Sequence, residues 1–178
     1  ERPTMMVFDL DPGAPANIVQ CCQVGLWLRD LLGQMKLRSF AKTSGSKGLQ
    51  VYVPLNTALA YDKNKNLALE LAQYLEHEHA DLVTSNMSKA VRKGKVFVDW
   101  SQNDEHKTTI CAYSLRAREE PTVSTPVSWE EVENCLKKEK AELLRFRSGE
   151  VLARVEKRGD LFEPLEKLKQ KLPKKSQI

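Results

Sequence analysis

Residues 7–13 read VFDLDPG, an alternation of apolar and acidic side chains that stops at a proline and a glycine. Side chains alternate between the two faces of a β-strand, so the pattern predicts a strand with Asp9 and Asp11 on one face. Proline and glycine directly after Asp11 predict the end of that strand. Two carboxylates at this spacing repel each other unless a cation lies between them, and divalent ions prefer such hard oxygen ligands. The alternative is a strand edge with two solvated acids.

The composition is that of an ordinary globular domain. The 178 residues are 41% hydrophobic, which suffices for one core, and we expect residues 1–178 to form a single domain. Lysine and arginine total 28 against 24 acidic residues, a formal net charge of +4. This mild excess permits a polyanionic partner without requiring one.

The cysteines and the hydropathy pattern bear on the cellular compartment. Cys21 and Cys22 are adjacent and no CxxC occurs, which argues against structural zinc. Unpaired thiols are typical of a reducing cytosol, and no apolar run reaches transmembrane length. The chain opens with Glu-Arg-Pro and meets a core strand almost at once, so we expect a piece of a larger multidomain protein.

Apolar periodicity and turn residues predict alternating strands and helices. We expect strands at residues 5–11, 37–42, 49–55 and 95–100, the last with residues 109–114 as its neighbour. We expect helices at residues 14–34, with Pro15 in the first turn, at 63–79, and from the capping box at Ser128 to about 138. Residues 141–172 are predicted as charged, peripheral helix. This order predicts an α+β fold with a mixed, largely antiparallel sheet packed with helices.

Residues 42–48 read KTSGSKG, a loop rich in groups that bind anions. Two glycines let the backbone turn its N–H groups toward an anion, while Ser44 and Ser46 add hydroxyls and Lys42 and Lys47 add positive charge. The P-loop spacing is absent and no helix is predicted to follow. The pattern therefore indicates either a phosphate-binding loop or an ordinary hairpin turn.

Asp99 lies inside the apolar strand KVFVDW, residues 95–100, where an isolated charge would be costly to bury. A third carboxylate beside the first two predicts a site for two Mg²⁺ or Mn²⁺ ions, if a triphosphate adds further oxygens. The alternative is an ion pair between Asp99 and Arg92 or Arg116. Arginine forks bind phosphate well, so Arg116 is equally a candidate phosphate ligand.

The order and spacing of five motifs carry a resemblance to a known family. The motifs are FDLDPG, KTSGSKGLQVYVP, RKGKVFVDWSQN, AYSLRAR and PTVSTPVSWEEV. Over about residues 6–132 the chain resembles the polymerase/primase domain of bacterial ATP-dependent DNA ligase D, within the archaeo-eukaryotic primase superfamily. The resemblance implies a primase-polymerase (RRM-like) catalytic core, with residues 133–178 as peripheral helices.

The resemblance also implies an activity, a DNA-directed nucleotidyltransferase of non-homologous end joining. Such an enzyme adds nucleotides, with ribonucleotides favoured, to 3′-OH ends at DNA breaks by two-metal phosphoryl transfer with Mn²⁺ or Mg²⁺. The implied partners are DNA ends with a gap or overhang, nucleoside triphosphates, a ligase module in the same polypeptide and a Ku-like end-binding protein. The implied location is the bacterial cytoplasm, at the nucleoid and away from membranes.

The resemblance implies a role for each matching residue. The catalytic and metal-binding acids are Asp9, Asp11 and Asp99. The residues that match contacts to the incoming nucleotide are Ser44, Lys47, Gln50, Gln102 near its ribose, and Arg116 at its triphosphate. Arg92 matches a basic residue in the DNA-contacting loop before the third acid.

Two features depart from the family pattern. The second motif usually ends in histidine, whereas this chain has Gln50, which donates a hydrogen bond but neither carries charge nor shuttles a proton. Eight residues precede Asp9, where the family carries strands and basic residues. We therefore expect nucleotide binding to persist and catalysis to be weaker.

Two other functions stay open from the sequence. The first motif also fits a haloacid-dehalogenase-like phosphatase, with Asp9 as the nucleophile and Asp11 as the acid and base. Against it, Pro-Gly-Ala-Pro follows Asp11, and the later acidic strand carries only Asp99. The second alternative is a catalytically weak module that binds DNA ends, which Gln50 favours.

Overall fold

The computed structural model describes residues 2–172 and centres on a six-stranded sheet. The strands are β1 (Met5–Pro12), β2 (Phe40–Thr43), β3 (Leu49–Pro54), β4 (Val83–Thr84), β5 (Val96–Asp99), β6 (Leu115–Arg116), β7 (Thr122–Val123) and β8 (Pro126–Val127). The large sheet has the order β4-β5-β1-β3-β2-β8, and β6 pairs with β7 in a second, small sheet. In the large sheet the β4–β5 pair is parallel and the others are antiparallel, which confirms the predicted mixed, largely antiparallel α+β fold.

Helices cover the sheet unevenly. They are α1 (Ile18–Gln34), α2 (Tyr61–Glu78), α3 (Trp129–Lys138), α4 (Ser148–Arg158) and α5 (Glu163–Lys167). The first two pack on the face of β1 that carries Met6, Phe8 and Leu10, all fully buried in the main core. The opposite face carries the acidic residues of β1, and only a small cluster that includes α5 covers part of it. Within residues 2–172 no helix has the length and apolar content needed to cross a membrane.

Three predicted elements differ from the structure. Helix α1 begins at Ile18 rather than at residue 14, because the Asn17 side chain caps it by accepting from the Val19 N–H. Residues 109–114 do not pair with β5, since β1 and β4 already occupy both of its edges. The predicted helix over 141–172 is divided into a 3₁₀ turn and the short helices α4 and α5.

Asn103 acts as a side-chain substitute for a strand beside β1. The ladder between β1 and β5 ends where Asp9 faces Asp99, which leaves the backbone of Val7 without a neighbouring strand on that side. Asn103 Oδ1 accepts from the Val7 N–H at 2.8 Å, and its Nδ2 donates to the Val7 carbonyl at 2.8 Å. Asn103 Nδ2 also donates to the carbonyl of Trp100, which fixes the 3₁₀ turn over residues 100–102 directly after Asp99.

Replacing Asn103 with alanine is expected to destabilise the protein by about 2–4 kcal/mol, because both polar groups of Val7 lose a buried partner. Chemical denaturation measures the change in the free energy of unfolding. Asn66→Ala, at an exposed position of α2, is the control and is expected to change stability by less than about 0.5 kcal/mol. Equal stability of the two variants would contradict the role given to Asn103.

Candidate active site

Four polar residues form a row across the face of the sheet opposite α1 and α2. Asp9 on β1 lies opposite Asp99 on β5 and opposite Gln50 on β3, and Gln50 in turn lies opposite Lys42 on β2. Residues opposite each other in an antiparallel pair project to the same face, with Cβ atoms about 4.5–5.5 Å apart. The sheet therefore gathers two carboxylates, an amide and an ammonium on one surface.

The loop between β2 and β3 lies against the end of β1 that carries Asp11. A Cβ added to Gly48 would lie 2.5 Å from the Leu10 carbonyl oxygen and 3.6 Å from Asp11 Oδ1, so only glycine permits this close approach. Lys47 Nζ donates to the Pro12 carbonyl at 3.3 Å. The loop and the first acidic pair, which lie far apart in the sequence, are therefore neighbours in the structure.

Asp9 is half-buried, with its Oδ1 atom fully buried, and it lies close to other negative charges. Burial, and after it the nearby charges of Asp11 and Asp99, raise its pKa from 3.8 to about 6. The Gln50 amide and the Lys42 ammonium offset part of this effect. Asp9 Oδ1 is buried and accepts no hydrogen bond within the described chain. A buried acceptor with this surplus of negative charge favours a cation at Asp9.

The Asp99 side chain is held by hydrogen bonds from the turn that follows β5 and not by an ion pair. Its Oδ1 accepts from the Ser101 N–H at 2.9 Å and from the Ser101 hydroxyl at 2.6 Å. Its Oδ2 accepts from Gln102 Nε2 at 2.8 Å. Between residues 2 and 172 neither Arg92 nor Arg116 forms a salt bridge with Asp99. The ion-pair alternative is therefore wrong.

The donor chemistry of the three aspartates fits a hard divalent cation. All three contribute carboxylate oxygens, and the unpartnered Oδ1 of Asp9 is the kind of atom that such an ion would satisfy. The three side chains share one region of the sheet but are not placed to hold one ion together. Among residues 2–172 no three His, Cys, Asp or Glu side chains have such a placement. Binding a cation would therefore require side-chain movement, for which the hydrogen bonds of Asp99 to Ser101 and Gln102 are the evident restraint.

The loop over residues 44–48 is a tight hairpin turn that satisfies its own amides. Ser44 Oγ accepts from the N–H groups of Ser46 at 3.3 Å and of Gly48 at 3.1 Å, and the Ser44 N–H donates to the Gly48 carbonyl at 2.9 Å. Gly45 has a φ of +64°, which favours glycine. The hairpin alternative thus describes the local structure, and a phosphate would compete with the Ser44 hydroxyl for these amides.

The two arginines of the AYSLRAR motif contact this loop from the side. Arg116 Nη1 donates to the Ser44 carbonyl at 3.3 Å, and Arg118 donates to the Ser46 hydroxyl. Thr122 on β7 also donates, through its hydroxyl, to the Gly45 carbonyl at 2.6 Å. The small sheet of β6 and β7 therefore supports the loop and brings Arg116 to Ser44, both of which are predicted nucleotide contacts.

The other two predicted site residues also lie at this surface. Gln102 is bonded to Asp99, as described above. The Arg92 guanidinium lies 3.7 Å from the ring centre of Phe97, the residue that faces Asp11 across the β1–β5 ladder. Arg92 Nη2 donates to the Met87 carbonyl, while its Nε is buried without a partner among the described residues.

Tyr52 and Ser124 lie at the candidate site although the sequence patterns did not single them out, and Lys42, predicted as a charge of the anion-binding loop, is instead buried in the sheet. Lys42 is 1% exposed, and its ammonium donates to Gln50 Oε1 and to Ser124 Oγ. Tyr52 donates to the same Gln50 oxygen at 3.2 Å. The alternation within β2 assigns Lys42 to the face opposite Ala41 and Thr43, but the pairing of β2 with β3 is not readable from the sequence.

A cavity of about 340 Å³ lies behind the loop and not on the carboxylate face. Gly45, Ser46, Lys47 and Arg118 line one side of it, and the start of α1 lines another. None of the three aspartates borders the cavity, so its volume does not mark the candidate active site.

Comparisons with known proteins agree with this arrangement. Residues 1–162 match the family model described as LigD, primase-polymerase domain. The multifunctional non-homologous end joining protein LigD of Mycolicibacterium smegmatis is 44% identical over 163 residues, which are 92% of this chain and 21% of that protein. The bifunctional non-homologous end joining protein LigD of Bacillus subtilis is 32% identical over 185 residues, with 98% of this chain and 30% of that protein covered.

A solved structure shares the fold. The polymerase domain of Mycobacterium tuberculosis Ligase D, in complex with DNA, superimposes with a TM-score of 0.86 at 44% sequence identity. The match covers 93% of this chain and 56% of that one. The chain thus spans well under two thirds of these proteins.

Replacing Asp9 with asparagine is expected to stabilise the metal-free protein at pH 7 by about 2–3 kcal/mol, because it removes a buried charge that two carboxylates oppose. The pKa of Asp9 is higher in the folded protein, about 6, than its ordinary value of 3.8. The cost of the charge is therefore complete above about pH 6 and fades as the pH falls toward 4.

Chemical denaturation in the presence of a chelator, at pH 7 and at pH 4, measures this effect. Asp81→Asn, at an exposed position, is the control and is expected to change stability little at either pH. A gain for Asp9→Asn that is absent at pH 7, or equal at both pH values, would show that Asp9 is not electrostatically strained.

Proposed function

The chain belongs to the LigD primase-polymerase family, and from this membership we propose that it adds nucleotides to 3′-OH ends at DNA breaks in non-homologous end joining. The observation that carries the proposal is the row of Asp99, Asp9 and Gln50 on one sheet face, with Asp11 and the KTSGSKG loop beside it. Nucleotidyl transfer needs carboxylates and phosphate ligands on one surface, since the reaction is almost entirely positioning and charge stabilisation.

Asp9, Asp11 and Asp99 are proposed to hold two Mn²⁺ or Mg²⁺ ions. When bound, such ions lower the pKa of a primer hydroxyl, align it with the α-phosphorus and neutralise the leaving pyrophosphate. The protein's own contribution is to place the carboxylates in register. Gln102 and Ser101 orient the third carboxylate through its two oxygens.

Residues of the loop and of β6 are proposed to bind the incoming nucleoside triphosphate. Lys47 and Arg116 supply positive charge at the two sides of the loop, and Ser44 offers a hydroxyl and a turn of backbone amides. Gln50 on β3 lies opposite Asp9. Gln102, which donates to Asp99, is proposed to lie near the ribose of the nucleotide. The preference for ribonucleotides rests on the family resemblance and is tested by competing ATP against dATP at equal concentration.

The proposed macromolecular partners follow from the relatives. The structural neighbour is bound to DNA, so we propose that this chain binds DNA ends with a gap or overhang, with Arg92 on the loop before β5 among the contacts. The relatives are multifunctional or bifunctional proteins. A ligase module in the same polypeptide and a Ku-like end-binding protein are therefore proposed partners, at the bacterial nucleoid in the cytoplasm.

One observation favours the catalytically weak DNA-end-binding module as a second candidate. The carbonyl oxygen of Gln50 accepts from both Lys42 and Tyr52, so this side chain is committed to the protein and has only its amide N–H groups to offer. The phosphatase alternative receives no such support, because the family match over residues 1–162 is to primase-polymerase domains.

Asp9→Asn is expected to reduce nucleotide addition at least a hundredfold, although the same change stabilises the metal-free fold. The measurement is incorporation of a labelled nucleotide into a gapped primer-template with Mn²⁺. Asp81→Asn is the matched control and retains full activity. Wild-type protein that binds the DNA but incorporates nothing would leave the binding module as the function, and turnover of para-nitrophenyl phosphate would indicate a phosphatase.

Arg116→Gln is expected to raise the KM for the nucleoside triphosphate about tenfold, with a smaller fall in kcat, because it removes a positive charge beside Ser44. Steady-state kinetics with varied nucleotide and saturating DNA separate the two constants. Arg145→Gln, which breaks an exposed ion pair with Glu120, is the control. An unchanged KM would remove Arg116 from the triphosphate site.

A further inference from the structure

Lys42 is an unusual residue, a lysine whose side chain is 1% exposed beside a carboxylate site. Its ammonium donates to Gln50 Oε1 at 2.5 Å and to Ser124 Oγ at 2.7 Å. The Ser124 hydroxyl in turn donates to the Thr43 carbonyl at 2.9 Å, so the ammonium is anchored to the backbone of its own strand. The Lys42 side chain therefore points into the protein rather than toward solvent.

The hydrogen bonds of Gln50 determine which way its amide points. Its Oε1 accepts from Lys42 on β2 and also from the Tyr52 hydroxyl at 3.2 Å, which together use both lone pairs of the oxygen. Tyr52 is itself held by Thr109 at 2.9 Å. Two donors on one side leave the Nε2 group of Gln50 for the opposite side, where its neighbour across the sheet is Asp9.

We propose that Lys42 is a positioning residue that, through Gln50, fixes a hydrogen-bond donor against Asp9. The proposal rests on the proposed function, since it assigns Lys42 a part in nucleotide addition. Without Lys42 the amide of Gln50 is free to rotate and turn its oxygen toward the carboxylate, and two acceptors then face each other. Lys42 thus affects Asp9 through the orientation of the Gln50 amide and not by direct contact.

The electrostatics of the row agree with this role. Burial lowers the pKa of Lys42 to about 8, while Asp9 acts in the opposite direction and favours the charged ammonium. Lys42 also lies 5.6 Å from the centre of the Tyr52 ring, an arrangement that favours a cation. A buried lysine that served only to fill space would be better replaced by an apolar side chain, since burying its charge is costly.

A double-mutant cycle tests the proposal. Lys42→Met and Gln50→Met each substitute an unbranched apolar side chain of similar size and are each expected to lower kcat for nucleotide addition about tenfold, with the KM for the nucleotide within about twofold. Because Lys42 acts through Gln50, the double variant is expected to be no slower than either single variant. Losses that multiply in the double variant would overturn the proposal, and so would a change confined to KM. Lys63→Met, at an exposed position of α2, is the control.

A spectroscopic measurement keeps the test independent of activity. The side-chain ¹⁵N–¹H₂ signals of Gln50 in the metal-free protein are expected to shift and to exchange faster with solvent in Lys42→Met, but not in Lys63→Met. If Lys42→Met does not fold, Tyr52→Phe removes the second donor to Gln50 Oε1 and is expected to move the same signals in the same direction. Unmoved signals would overturn the proposal. Failure of the wild type to add nucleotides would instead contradict the proposed function while this measurement still applies.

Discussion

The position of β1 between β3 and β5 is the constraint on which the candidate site depends. Antiparallel pairing on both sides places Asp9 between Gln50 and Asp99 and turns all three side chains to the same face. The other face of β1 carries Phe8 and Leu10, which are fully buried against α1 and α2. A shift of β1 by one residue would exchange these faces, so the hydrophobic core holds the acidic residues on the face that carries the candidate site.

Repulsion between like charges destabilises this arrangement of carboxylates. Asp9 is half-buried near two other carboxylates, and its raised pKa means that the folded protein disfavours its ionised form. The positive charges lie in two places. Lys42 is buried in the sheet, whereas Lys47 and Arg116 border the loop between β2 and β3. Because protein groups offset only part of the negative charge, the site favours binding of a cation. An enzyme that binds cations together with a triphosphate has this electrostatic requirement.

Support for the site comes from short segments as well as from the large sheet. Asn103 substitutes for a strand beside Val7 and thereby holds the turn whose residues Ser101 and Gln102 orient Asp99. The small sheet of β6 and β7 holds the hairpin loop in place through Arg116 and Thr122. These contacts join residues far apart in the chain, so the geometry of the site depends on complete folding and not on any one motif.

The sequence by itself determined the local features of the protein. Alternation in residues 5–11 and helical periodicity in residues 14–34 located β1 and α1 to within four residues, and the order of the motifs identified the family. Only the tertiary structure decided which strands are neighbours. It excluded residues 109–114 from the sheet, divided the last helix, bonded Asp99 to Ser101 and Gln102, and buried Lys42 against Gln50. The physical reason is that periodicity reports which face of an element is apolar, whereas strand pairing and side-chain hydrogen bonds depend on contacts between residues distant in sequence.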